Sequence, residues 1–73
     1  MITIFDVYEG SEVLYCGGSI RDAKRAIKQR IEDTSGECAI DYTIDDTPFE
    51  KEVWGSVLSE YIEKVEDEVL EEV

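Results

Sequence analysis

The sequence predicts one α+β domain, residues 1–73, with the element order β-β-α-β-α: a three-stranded antiparallel sheet, one helix on its face, and a long acidic helix at the C-terminus. Three observations lead there. Cys38, Ile40, Tyr42 and Ile44 alternate with Ala39, Asp41, Thr43 and Asp45, the period-two pattern of a half-buried strand. Two later segments repeat apolar residues at steps of three and four behind helix-capping signals. Glu9-Gly10-Ser11 lies between two runs of β-forming residues and reads as a hairpin turn, with Gly10 free to take positive φ.

Each element follows from its residues. Ile2, Ile4, Phe5, Val7 and Tyr8 give a first strand over 2–8; Val13, Leu14, Tyr15 and Cys16 give its return over 12–16. Gly17-Gly18 breaks that strand. Ser19 is an N-cap with Asp22 three residues on, a capping box in which Glu or Gln would be the stronger partner. Ile20, Ala23, Ala26, Ile27 and Ile31 make the apolar stripe of the first helix, and Arg21, Lys24, Arg25, Lys28 and Arg30 fill its other faces. Thr34-Ser35-Gly36 ends it. Thr47-Pro48-Phe49-Glu50 starts a second helix, with Thr47 as cap and Pro48 at the first helical position. Its apolar rows are Phe49, Val53, Val57, Tyr61 and Trp54, Leu58, Ile62, Val65, Val69, with Gly55 as a weak point that could mark a bend. The competing assignment makes residues 49–54 a fourth strand; the capping signals and four-residue steps favour the helix.

A crossover from the second strand through the first helix places the third strand beside the first, so the expected sheet order is 2-1-3, fully antiparallel. The second helix either packs beside the first or extends past the sheet.

Composition excludes several classes of function. Without histidine the chain lacks the commonest general base and metal ligand. Two separated cysteines do not make a zinc site, and Asp41, Asp45 and Asp46 do not match a calcium loop. No catalytic, metal or cofactor site is expected, and hence no enzyme. Gly17-Gly18-Ser19 before a helix bearing Arg21 could cradle an anion, but a joint plus an N-cap accounts for the same residues. No apolar run is long enough to span a membrane and no leader pattern precedes the first strand, so a cytoplasmic protein with free Cys16 and Cys38 is expected.

The charge is what remains. The net charge is −12, which opposes binding to a nucleic-acid backbone or an anionic membrane and favours a basic partner. It is also uneven: residues 1–40 carry seven acids and five bases, residues 41–73 twelve acids and two bases. From Glu60 to Glu72 there are seven acids and Lys64. On a helix that is one net charge per ~3.3 Å, close to the ~3.4 Å per phosphate along one DNA strand. Glu60, Glu63, Asp67 and Glu71 follow one row, Glu68 and Glu72 another. Like charges at this spacing oppose helix stability, and acids in the last turn oppose the helix dipole. The candidate partner-binding residues are therefore Glu60, Glu63, Glu66, Asp67, Glu68, Glu71 and Glu72, with Asp45 and Asp46.

In size, acidity, absence of histidine and absence of a catalytic motif, the chain resembles the small phage-encoded inhibitors of the anti-CRISPR and DNA-mimic type. The resemblance is one of composition, with no alignable motif. It implies a stoichiometric inhibitor that occupies the basic nucleic-acid channel of an effector, in the host cytoplasm if the chain is phage-encoded. The locally basic first helix departs from a pure mimic and could contact an acidic surface or an RNA. A different reading, of an antitoxin-like or accessory module, rests on the stripe Trp54, Leu58, Tyr61, Ile62, Val65 and Val69. That stripe is long for one small sheet to cover, so its far end would be left for a partner or for a second copy in a homodimer.

Overall fold

The structure is a computed structural model that describes residues 1–45 and 48–71, the side chains of 48–50 excepted. It contains β1 (Ile2–Asp6), β2 (Glu12–Gly17), α1 (Ile20–Thr34), β3 (Ile40–Ile44) and α2 (Pro48–Glu71). The sheet order is β2-β1-β3, and β1 pairs antiparallel with both neighbours. This is the expected α+β arrangement. Pro48 opens α2 and the helix runs unbroken through Gly55, so residues 49–54 are helical rather than a strand. The expected cap Thr47 lies outside the described residues.

Both helices cover one face of the sheet. α1 lies over β1 and β2, α2 over β3, and the helices pack side by side. They run parallel: Lys24 meets Tyr61, Lys28 shares a cavity with Val65 and Glu68, and Gly36 lies against Leu70. The core is the layer between them. Ile2, Ile4, Ala23, Ile27, Ile31 and Leu58 are fully buried, with Val65 and Ile44 nearly so. Each fully buried Ile or Leu contributes roughly 1.5–3 kcal/mol. The opposite face of the sheet, with Phe5 beside Val13 and Thr3 beside Cys16, has no layer over it among the described residues, and Val13 is 63% exposed.

The strands differ from expectation in three ways. β3 spans Ile40–Ile44 only, so Cys38, Ala39 and Asp45 of the alternating pattern lie outside it. β1 ends at Asp6, not Tyr8, because the turn is wider than Glu9-Gly10-Ser11 and takes in Val7 and Tyr8. β2 extends to Gly17 and contains a bulge: Ile4 pairs with Tyr15 but Phe5 with Val13, leaving Leu14 as the extra residue. The bulge lets both Leu14 and Tyr15 pack toward the core. It explains why Val13-Leu14-Tyr15-Cys16 does not alternate. The Tyr15 ring folds back over Gly17, where a Cβ would collide with its hydroxyl group.

That hydroxyl accepts the Ser19 N–H at 3.0 Å, while Ser19 Oγ accepts the Asp22 N–H at 3.2 Å. The cap is therefore half of a capping box, with Tyr15 in the place expected for the Asp22 carboxylate. With Ser19 so engaged, the suggested anion cradle has lost one of its donors. At the other end of α1, Ser35 at φ 55° and Gly36 at φ 88° close the helix, the Gly36 N–H reaching the Ile31 carbonyl. Cys16 is exposed and Cys38 half-buried, and neither forms a disulfide.

One polar group sits inside this layer. Asp6 continues the inward register of Ile2 and Ile4 and is 3% exposed. Its Oδ1 accepts the amides of Tyr8 at 2.9 Å and Ala39 at 3.0 Å; its Oδ2 accepts Arg30 Nε at 2.8 Å. Arg30 Nη2 continues to Glu12 Oε2 at 2.7 Å. Arg30, expected on an outer face of α1, instead turns down to the sheet. Burial alone would push the Asp6 carboxyl up; the Ala39 and Tyr8 amides and the Arg30 guanidinium outweigh it and hold the carboxyl below its ordinary value.

Asp6→Asn should cost about 2–3 kcal/mol, somewhat below a fully buried pair because Arg30 is a third exposed. Because the carboxyl is depressed in the folded state, its contribution is complete above about pH 4 and is lost as pH falls below that. Urea unfolding at pH 7 and pH 3 checks both: the wild type should lose stability on acidification through this step, and the Asn variant should show a smaller loss.

Candidate functional site

The buried seam of α2 fixes which way its acids point. Leu58 and Val65 are buried, and Trp54, Tyr61, Ile62 and Val69 pack against the same core. These six residues are the stripe on which a second interface was expected, and all of them lie in the core layer. On the flanks and outer side of the helix, Val53 is 42% and Leu70 60% exposed. Phe49 lies outside the described side chains.

Opposite the seam, Glu60, Glu63, Asp67 and Glu71 are all exposed and succeed one another at steps of three and four. They form one row over roughly 16 Å of helix, about one carboxylate per 5 Å. Lys64 is exposed beside them. The row is thus sparser than the seven acids counted together, because the helical period sends the others elsewhere. Glu66 is half-buried. Glu68 turns toward α1 and lines a cavity of about 260 Å³ with Lys28, Glu32, Val65 and Val69. Asp46 and Glu72 lie outside the described residues. Asp45 is exposed at the end of β3, away from the row.

The bases of α1 do not neutralise this surface. Lys24 stands over the Tyr61 ring, 5.3 Å from its centre, and Lys28 approaches its own helix's Glu32 at 4.0 Å. Arg30 is committed to Asp6 and Glu12. Arg21 and Arg25 are exposed on the other helix. Exposed pairs of this kind contribute well under about 1 kcal/mol, so the acidic row keeps its field.

A second feature was not read from the sequence. Beside the outer edge of β3 runs a groove of two adjoining cavities, about 440 and 630 Å³, that share Tyr42, Lys51 and Gly55. Asp45 lines the first; Glu52, Ser56, Ser59 and Glu60 line the second. Tyr42 spans the gap between sheet and helix: its hydroxyl donates to the Gly55 carbonyl at 3.0 Å and lies 2.6 Å from Ser59 Oγ. Gly55 and Ser59, one turn apart on α2, were the available signal, since small residues let a strand side chain reach the helix backbone. Among the described residues, no group of three or more Cys, Asp or Glu side chains is placed to hold a metal ion, and no helix is long and apolar enough to cross a membrane.

Gly55 itself is not required by backbone geometry. A Cβ there would stand 3.8 Å from the Tyr42 hydroxyl, an ordinary contact. Gly55→Ala should therefore stabilise the protein by about 0.5–1 kcal/mol through helix propensity, raising the thermal midpoint by several degrees in calorimetry. No family model, curated protein or solved structure matches the chain.

Proposed function

We propose that the protein is a non-enzymatic inhibitor that binds a basic, nucleic-acid-handling partner and competes with nucleic acid for its groove. The observation that carries this reading is the exposed row Glu60, Glu63, Asp67 and Glu71 on a rigid helix whose opposite side is anchored in the core. A fixed row of carboxylates offers a basic groove a line of negative charge, sparser than a strand backbone, without the cost of ordering a flexible tail. The net charge of −12 steers encounter toward such a groove and away from nucleic acid itself. The apolar-module reading has less surface to draw on: Leu58 and Val65 are buried, and Trp54, Tyr61, Ile62 and Val69 are half-buried against the core.

Reversing Glu63, Asp67 and Glu71 to lysine tests the proposal. All three are exposed and oppose helix stability, so the circular dichroism spectrum should be preserved and the unfolding midpoint should stay at or above wild type. Proteins captured from a cell lysate by the wild type at low salt should be lost with the triple variant, and lost from the wild type as salt is raised. Capture that persists unchanged in the variant would sink the proposal.

A further inference from the structure

We propose that the outer edge of β3, with the groove beside it, is a strand-addition site for an extended, lysine- or arginine-bearing peptide segment. This site shares Glu60 with the outward row of α2 but does not involve Glu63, Asp67 or Glu71, and it stands without them.

The backbone supplies the first argument. Val7 N–H bonds the Ala39 carbonyl and Asp45 N–H bonds the Met1 carbonyl. In an antiparallel ladder these pairs alternate with pairs that do not exchange hydrogen bonds. Residues 39, 41, 43 and 45 therefore face β1, and Ile40, Tyr42 and Ile44 turn their N–H and C=O groups outward. β3 is an edge strand, with no register break against β1. The other edge, β2, carries the Leu14 bulge, a device that blunts an edge against pairing.

The groove supplies the second. It runs alongside this same edge, with Tyr42 on its floor and Lys51, Glu52, Ser56 and Ser59 among the residues of its helix wall. Charge selects the occupant. Among the described residues, Asp45, Glu52 and Glu60 line the groove against one base, Lys51. A second copy would bring the same carboxylates against these; a basic strand would complement them. The Asp41 carboxylate accepts the Tyr42 N–H at 2.8 Å, so an incoming strand displaces that one side-chain bond and makes main-chain bonds in its place.

The test adds a short synthetic peptide alternating lysine with valine and follows amide hydrogen exchange by NMR. The Ile40 and Ile44 amides should slow by about tenfold or more, and a glutamate–valine counterpart should leave them unchanged. Asp45→Lys combined with Glu52→Lys should weaken the effect about tenfold with the spectrum of the free protein otherwise preserved. The Glu63, Asp67 and Glu71 reversals should leave it intact, so failure here and failure of the inhibitor reading are distinguishable. Unchanged Ile40 and Ile44 amides, equal protection by the glutamate peptide, or protection confined to β2 would overturn the proposal.

Discussion

The arrangement depends on one carboxylate. Asp6 stands where β1 leaves the core, and its two oxygens gather the hairpin turn through Tyr8, the start of β3 through Ala39, and the last turns of α1 through Arg30. Segments 24 and 33 residues along the chain from Asp6 thus meet the hairpin turn at one side chain. A carboxylate in this position is costly unless all its donors arrive together. The hairpin alone supplies only the Tyr8 amide. The bond set closes only when helix and third strand are both in place, which favours the complete fold over any partial one. The thin core, made largely of isoleucines from β1 and α1, gains its fixed register from this polar clamp.

Much of the architecture was legible because it rests on periodicity. The alternation through Ile40, Tyr42 and Ile44, the α1 stripe and the long α2 repeat are each written in one segment, and each appears where the spacing put it. The clamp was not legible in that way. Asp6 occupies an inward position of its strand, directly after Ile2 and Ile4, but the residues that justify it lie at Arg30 and Ala39. Nothing local distinguishes Arg30 from the other bases of α1. The bulge at Leu14 is similar: four non-alternating residues hinted at it, but only pairing with β1 shows which residue is extra.

The acidic helix was half legible. The three-and-four spacing of Glu60, Glu63, Asp67 and Glu71 identifies a row, and the seam beneath confirms which side of the helix it occupies. Counting every acid from 60 to 72 overstated it, because a helix distributes neighbours around its axis: Glu66 falls to the flank and Glu68 to the inter-helix cleft. The groove by β3 was hidden for a different reason. It is made by a tyrosine from a strand and small residues from a helix, and neither segment reads as a site without the other.

The chain's uneven charge acquires a direction from the topology. Residues 1–40, at −2, hold β1, β2 and α1; residues 41–73, at −10, supply nearly all of β3 and α2, on the other flank of the sheet. The centre of charge is therefore displaced sideways from the centre of mass. The molecule is 23 Å across its middle dimension, well beyond a Debye length of about 8 Å in physiological salt. A cationic surface approaching from the α2 flank feels the full local field, while one approaching from the α1 flank is screened from it. The protein consequently experiences a torque before any contact forms, and it rotates to lead with α2. Sheet order and charge order together make it a particle with a front and a back.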